Sequence, residues 1–198
     1  MPSNAAESTL RATFSELADI PFDEWRYFWS HVREREFRPR ELLFRQDAPA
    51  PCIHYILSGL VRLFYNEDGR ERVRGFDYET RFVTAYESVL TGGLATFSCQ
   101  ALEPTHTLCF AGDVLTRMYN RHPCWDRFGR RILELQWIRQ IDKDRRFRVY
   151  TPEEHYLLLI ERRSPLIDRV PLNQLASFLQ ITPETLSRIR ARVRGLSS

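Results

Sequence analysis

The sequence of 198 residues predicts a mixed α+β fold, in which a β-sandwich or barrel is followed by helices. From about residue 35, short runs rich in β-branched and aromatic residues recur every ~8–12 residues, a spacing typical of sandwiches and barrels. From about residue 114, apolar residues recur at helical spacing instead. The apolar content of 43 % is normal for a packed globular protein and too high for a disordered one.

Turn signals separate the strand-like runs and place one hairpin. The pair Asp68-Gly69 lies between two such runs, and it predicts a tight hairpin because Gly accepts positive φ at no steric cost. Residues 1–9 are small and polar and are expected to be frayed. Residues 10–32 have helical periodicity, with a break near Pro21. The predicted strand runs are 37, 42–44, 53–57, 60–65, 73–76, 97–99 and 108–110.

A long helix is predicted from Pro123, which suits a first helical turn, to about Arg148. At 100° per residue its apolar residues form two opposite faces, so the helix must be covered twice. The β domain would cover one face and a partner helix in a two-fold dimer the other. The alternative is a helix buried wholly within its own chain. The candidate dimer-interface residues are Phe128, Ile132, Leu135, Leu133, Trp137 and Ile141.

Composition and spacing argue against several classes of protein. The four cysteines are far apart and form no CxxC pair, so the spacing of metal ligands is missing and no metal site is expected. No apolar run approaches the ~18 residues of a membrane span, and no secretion signal is visible. We therefore expect a cytoplasmic protein with reduced thiols and no membrane partner. The net charge of +3 alone says little about partners.

The C-terminal segment 172–193 predicts two short helices joined by a tight turn. Thr151-Pro152-Glu153-Glu154 begins an earlier helix, and Thr182-Pro183-Glu184 begins the last one. Two helices joined this tightly form an αα corner, which fits the helix-turn-helix template. The turn residue of that template is usually Gly. Here it is Gln180, and a non-Gly residue can take the left-handed conformation at modest cost.

The outward face of the last helix, 182–194, carries chemistry suited to DNA. Arg188 can donate two hydrogen bonds to guanine, and Glu184 can accept one from cytosine. Threonines at the positive helix end suit phosphate, as do Arg190, Arg192 and Arg194. The alternative is an ordinary helical hairpin with a charged outer face. The candidate DNA-binding residues are Thr182, Glu184, Thr185, Ser187, Arg188 and Arg192.

From about residue 25 to 194, the chain resembles the CRP/FNR family of bacterial transcription regulators. The segments HYILSGLVRLFY, YESVLTGG, SCQALEPTHTLCF and ITPETLSRIR occur in the family's order. The resemblance implies a double-stranded β-helix, a jelly-roll-like β-roll with flanking helices, as a sensor over 1–118. It further implies a dimerisation helix over 119–150 and a helix-turn-helix with a reduced wing over 151–198. The implied partners are double-stranded DNA, a second copy of the chain and, for an activator, RNA polymerase.

The candidate effector pocket departs from the pattern of cyclic-nucleotide-binding relatives. The stretch that resembles their phosphate-binding cassette offers Tyr86, Glu87, Ser88, Ala95 and Thr96. Ala95 stands where the phosphate-neutralising Arg would be, and a buried phosphodiester without a cation is poorly stabilised. Cyclic AMP is therefore not expected, although Thr96 is retained and Arg81 could approach. The Cys cluster of iron–sulfur sensors is absent, so an iron–sulfur cluster is not expected either. The spacing of residues in the sequence neither favours nor excludes haem.

Two other functional classes remain as alternatives. A small-molecule-binding dimer that has lost DNA binding would explain Gln180 and the few residues after Arg194. A cupin-like enzyme would need clustered His and carboxylate ligands. His54 and His106 lie on separate runs and no HxH pattern is visible, so we do not predict an enzyme.

Overall fold

The computed structural model describes residues 2–196, with side chains described from Pro2 to Val193. The strands are β1 Arg33–Phe37, β2 Leu42–Phe44, β3 Cys52–Ser58, β4 Leu60–Glu67, β5 Arg70–Tyr78, β6 Phe82–Val83, β7 Ser98–Ala101 and β8 Thr105–Ala111. The helices are α1 Asn4–Ser15, α2 Phe22–Trp29, α3 Tyr86–Thr91, α4 Gly112–Tyr119, α5 Cys124–Val149, α6 Pro152–Glu161, α7 Leu166–Arg169, α8 Leu172–Phe178 and α9 Pro183–Leu196.

The eight strands form two four-stranded antiparallel sheets, in the orders β1-β8-β3-β6 and β2-β7-β4-β5. This β-roll with flanking helices confirms the predicted α+β fold class. The hairpin between β4 and β5 turns at Asp68 and Gly69, whose φ angles are 52° and 81°. Both central residues of the turn therefore have positive φ, as a tight hairpin requires.

Two local predictions were wrong at the ends of elements. Helix α1 begins at Asn4 rather than after residue 9, because the Ser3 hydroxyl caps the Ala6 amide at 3.3 Å. Ala6 and Leu10 are also buried, so packing holds this first turn. Strand β6 was not predicted, because it is only two residues long and exists through pairing with His54 and Tyr55 of β3.

Aromatic packing fixes the first half of α5 against its own chain. Phe128 stacks on Phe14 with ring centroids 4.1 Å apart, and Phe28 packs against Trp125. The buried Glu24 carboxylate on α2 accepts hydrogen bonds from the Trp125 indole at 3.0 Å and from Arg121. Helix α5 begins after Pro123, as predicted.

Polar contacts hold the C-terminal helices against the roll. The buried Arg62 of β4 donates to Gln174 of α8 at 2.7 Å, and the Ser177 hydroxyl accepts from the Val73 amide at 3.0 Å. On the short α7, Arg169 forms a bidentate ion pair with Glu79 and also pairs with a second carboxylate, Glu103. Phe76 and Phe178 pack beneath these contacts. Helix α6 begins after the predicted start at Thr151, where the side chains of Thr151 and Glu154 form a capping box.

Replacing Glu24 with Ala should lower the free energy of unfolding by about 2–4 kcal/mol, because the buried Trp125 N–H loses its acceptor and Arg121 loses its partner. Urea unfolding followed by circular dichroism measures this. The control is Glu36→Ala, on an exposed side chain, which should stay within about 0.5 kcal/mol of wild type. Equal effects of the two substitutions would show that Glu24 does not anchor α5.

Replacing Arg169 with Met should change how stability depends on pH. The Arg169 hydrogen bonds lower the pKa of Glu79 from 4.5 to about 2. Because the folded pKa is depressed, the pair's contribution is complete above about pH 4.5 and is lost as pH falls through about 2. Both groups are partly exposed, so solvent screening limits the contribution to about 1 kcal/mol.

Urea unfolding at pH 7, 4.5 and 3 tests this expectation. The stabilities of wild type and Arg169→Met should differ at pH 7 and converge as the medium becomes more acidic. Arg117→Met is the control, because Arg117 forms an exposed ion pair within α4 and should change little at any pH. A constant difference between wild type and Arg169→Met across the series would contradict the assignment.

Candidate nucleic-acid interface and ligand pocket

Helices α8 and α9 form a closely packed pair around a small buried core. Leu175, Ala176, Leu186 and Ile189 are buried between them, and Ala176 has no exposed surface. The connecting turn contains Gln180 with a φ of 59°, so this non-Gly residue takes the left-handed conformation expected of the turn. The Ile181 amide donates back to the Ala176 carbonyl at 3.0 Å and closes the turn.

The first turns of the outward face of α9 stand clear of the other described elements, and Arg192 further along the helix is paired with α6. Glu184, Ser187, Arg188 and Arg192 are exposed, whereas Thr185 is half-buried. The Thr182 hydroxyl accepts from the Thr185 amide at 3.3 Å and caps the first turn. Small and polar side chains at this end leave the backbone accessible to a neighbouring molecule.

Several polar side chains on the outward face of α9 form hydrogen bonds or ion pairs with neighbouring side chains. Arg188 donates to the Thr185 hydroxyl at 3.3 Å, and Arg192 pairs with Glu153 of α6 at 2.8 Å. The pKa of Glu184 is lowered by its own backbone N–H and by the Thr182 hydroxyl. Glu184 is therefore an anion that can accept hydrogen bonds, and Arg188 is free of any described carboxylate within 4.0 Å.

The outward arginines do not all face the same way. Arg190, predicted to suit phosphate, is half-buried and turns into the protein. Its guanidinium lies 5.8 Å from the centroid of the Tyr156 ring and 3.5 Å from the Ile167 carbonyl oxygen. Arg190 therefore supports the packing of α9 on α6 and α7. The side chain of Arg194 lies outside the described residues.

Helix α5 presents one covered face and one exposed face. Phe128 is buried in the core of its own chain and Ile132 is half-buried, which leaves Phe128 little surface for a partner. On the other side, Trp137 is 67 % exposed and Ile141 is 53 % exposed. The remaining exposed apolar residues of this helix are Leu133, Leu135, Ile138 and Val149. Nothing in the described part of the chain covers this second face.

An open pocket of about 920 Å³ lies between the roll and α5. Its walls are mostly apolar and aromatic, and they include Tyr86, Phe82, Phe97, Tyr119, Ile132 and Trp137. Gly129 of α5 permits this arrangement, because a Cβ there would lie 2.4 Å from the Tyr119 hydroxyl oxygen. Burial raises the pKa of both Tyr86 and Tyr119, so their hydroxyls stay neutral.

The candidate effector residues divide between this pocket and the interior of the roll. Tyr86 lines the pocket. Ser88 is buried, accepts from the Ala50 amide and donates to the Gly93 carbonyl at 2.6 Å. Ala95 is 1 % exposed, and its backbone pairs with residues 47 and 48.

Glu87 and Thr96 are bound to each other. The Thr96 hydroxyl donates to the Glu87 carboxylate at 2.6 Å. Burial would raise the pKa of Glu87, but the hydrogen bonds from Thr96 and the backbone outweigh it, and the pKa is lowered. These two side chains therefore satisfy one another without a ligand.

Sequence reasoning missed a cation in the pocket wall, Arg74 of β5, and a second cation beside it, Lys143 of α5. Arg74 lines the pocket with its guanidinium 4.2 Å from the centroid of the Phe97 ring. Lys143 approaches the same strand at Gly75 and is the single lysine in this sequence. A charged residue within the apolar run of residues 73–76 was the signal that could have identified Arg74.

Two further properties follow from the described residues. No helix within residues 2–196 has the length and apolar character that crossing a bilayer requires. In the same part of the chain, no three His, Cys, Asp or Glu side chains come together in a way that could hold a metal ion.

Residues 34–122 match the family model described as the cyclic nucleotide-binding domain. No curated protein sequence matches the chain. Among solved structures, the c-di-GMP responsive global regulator CLP of Xanthomonas campestris is similar, with a TM-score of 0.70 and 18 % identity over 89 % of this chain and 93 % of that one.

Two other solved structures share the architecture. FixK2 of Bradyrhizobium japonicum has a TM-score of 0.70 at 18 % identity, over 84 % of this chain and 86 % of that one. The catabolite activator protein of Thermus thermophilus has a TM-score of 0.54 at 20 % identity, over 90 % of this chain and 85 % of that one. The roll thus has the fold of a cyclic nucleotide-binding domain, and the chain shares its fold with these three solved structures over 84–90 % of its length.

Proposed function

We propose that this protein is a cytoplasmic, homodimeric transcription regulator of the CRP/FNR type that binds DNA sequence-specifically. The observation that carries the proposal is the outward face of α9, where Glu184, Ser187 and Arg188 are exposed and clear of their own chain. In this proposal α8 and α9 act as a helix-turn-helix, with 182–194 as the recognition helix. The sensor, dimerisation and DNA-binding units are 1–118, 119–150 and 151–198.

Base reading would come from a charged pair on one helix face. Arg188 is one helical turn after Glu184, so both side chains can enter one major groove. Arg188 would donate to guanine O6 and N7, and Glu184 would accept from cytosine N4. Thr182, Thr185 and Ser187 would contact phosphate near the positive end of the helix, with Arg192 beside them.

Dimerisation would use the exposed face of α5. Leu133, Trp137 and Ile141 recur every four residues, and Ile138 lies beside them. Packing this face on its symmetry mate would remove large apolar side chains from water. A two-fold dimer would then read a near-palindromic operator, with half-sites one DNA turn (~34 Å) apart.

Regulation would come from a small effector in the pocket, with RNA polymerase as an additional partner if the protein is an activator. Ala95 would replace the phosphate-binding Arg, so cyclic AMP is not expected, and an iron–sulfur cluster is not expected because its Cys cluster is absent. An effector that binds one orientation of α5 better than another would shift the population of DNA-competent dimers.

Selection from a pool of random DNA duplexes, followed by fluorescence anisotropy, tests the DNA-binding function. We expect an enriched near-palindrome whose affinity falls with salt concentration. Replacing Arg188 with Ala should cost about 1–3 kcal/mol and relax the preference at one base pair of each half-site. The control is Arg72→Ala, on an exposed arginine of β5. Unchanged affinity and sequence preference in Arg188→Ala would refute base reading by α9.

Replacing Trp137 with Asp should weaken the dimer by about 2–4 kcal/mol, because a large interfacial aromatic would be lost and a charge placed in an apolar contact. Sedimentation equilibrium measures the association. Leu157→Asp is a control, because Leu157 is 41 % exposed on α6, away from the proposed interface. A wild-type protein that is monomeric at micromolar concentration would refute this mode of assembly.

A second candidate function is favoured by the large pocket. The chain would be a dimeric module that binds a small molecule but not DNA. A folded dimer that enriches no duplex at low salt would support this second function over the first.

A further inference from the structure

Two cations at one end of the pocket, Arg74 in its wall and Lys143 beside Arg74, belong to no ion pair among the described residues. Arg74 comes from β5 and Lys143 from α5, and both side chains are half-buried. Neither belongs to any of the ion pairs within 4.0 Å that the described residues form. Arg74 instead lies over the rings of Phe97 and Tyr65, at 4.2 and 6.0 Å from their centroids. A guanidinium held by ring faces keeps its hydrogen-bond donors available for an anion.

Arg74 and Lys143 lie close together beside Gly75. A Cβ on Gly75 would lie 3.7 Å from the Lys143 ammonium nitrogen, so the lysine of α5 reaches across to the strand beside Arg74. Burial and the charge of Arg74 lower the pKa of Lys143 to about 8. Burial is the larger cause, and Asp77 partly opposes the effect of Arg74 on this pKa.

The neighbouring carboxylates do not balance these charges. Asp77 lies on the same strand, but its partner is Arg81, at 3.4 Å. Burial raises the pKa of Asp77, even though Arg81, Arg139 and Lys143 oppose that rise. Arg74 also lowers the pKa of Glu87, yet the Glu87 carboxylate is hydrogen-bonded by Thr96 and is not within ion-pair distance.

The other charges that face this region leave the excess unchanged. Arg146 of α5 adds a further positive charge near Lys143, although its own partner is Asp142 at 3.0 Å. At the far end of the pocket, Glu134 is paired with Arg130 and Arg131 on its own helix. Asp126 also lines the pocket, near the start of α5, so the excess of positive charge is confined to the end at Arg74 and Lys143.

The rest of the pocket wall is mostly apolar and suits the apolar part of a ligand. Phe82, Phe97, Tyr119, Ile132 and Trp137 line the space beyond the two cations. A volume of about 920 Å³ is ample for a ligand of drug-like size, because such pockets span about 300–1,000 Å³.

We propose that this pocket binds an organic anion with an apolar body, an aromatic or medium-chain carboxylate, whose anionic group pairs with Arg74 and Lys143. The body would lie between the roll and α5. The anion would thus bind away from Glu87 and Thr96, which already satisfy each other. The claim that this ligand is the effector rests on the proposed function. The claim that the pocket binds an organic anion does not depend on that function.

A pair of fluorescent probes with the same body tests the proposal. The anionic probe is 8-anilinonaphthalene-1-sulfonate, and the neutral probe is N-phenyl-1-naphthylamine, which lacks the sulfonate. We expect the wild-type protein to bind the anionic probe more tightly. Arg74→Met and Lys143→Met should each weaken that probe about tenfold, because a charge-assisted hydrogen bond is lost, and should leave the neutral probe unchanged.

Matched variants test whether the loss of binding depends on the charges of Arg74 and Lys143. Arg72→Met removes an exposed arginine two residues away on the same strand and should bind both probes as wild type does. Arg74→Lys and Lys143→Arg keep the charges and should retain most of the anionic affinity. Near-ultraviolet circular dichroism of each variant checks that the fold is intact. Equal loss of both probes, or no loss in either methionine variant of a folded protein, would overturn the proposal.

Competition identifies the class of ligand. Dodecanoate and 3-phenylpropionate should displace the anionic probe, whereas cyclic AMP should displace it weakly. Displacement by cyclic AMP at lower concentrations than by either carboxylate would overturn the assigned class. Because these measurements use the protein without DNA, failure of the carboxylate site and failure of operator binding are separate results.

Discussion

The arrangement of this protein depends on how helix α5 is fixed at one end. The stacked rings of Phe14, Phe28 and Phe128, with the buried Glu24 contact to Trp125, hold its first turns against the roll. A close-packed aromatic cluster admits few alternative positions. The later turns extend beyond this cluster, where they border the pocket and carry a mostly exposed apolar face that shares Trp137 with the pocket wall. One helix thereby connects the pocket, the exposed apolar face and the C-terminal helices.

The sequence predicted the features that local chemistry decides. The hairpin at Asp68 and Gly69, the start of α5 after Pro123 and the start of α6 at Thr151 all rest on backbone preferences of a few adjacent residues. The left-handed Gln180 shows that the turn geometry of the helix pair persists even where the favoured Gly is absent. The fold class followed from periodicity for the same reason.

The features that sequence reasoning missed depend on contacts between distant segments. Strand β6 exists only because β3 offers it a partner, and Arg190 turns inward because Tyr156 and Ile167 lie beneath it. Arg74 and Lys143 are 69 positions apart and meet only because α5 packs beside β5 at Gly75. A sequence pattern does not show which distant residues come into contact. The candidate pocket was therefore placed at the cassette residues alone.

The scarcity of lysine has a chemical consequence at the pocket. Lys143 is the single lysine side chain in this sequence, and burial beside Arg74 lowers its pKa to about 8. A larger fraction of this amine is therefore unprotonated, and so nucleophilic, near neutral pH than for an ordinary lysine. Besides the α-amino group, acylating reagents would find one amine in the chain, so a label could be attached at the pocket without engineering the sequence.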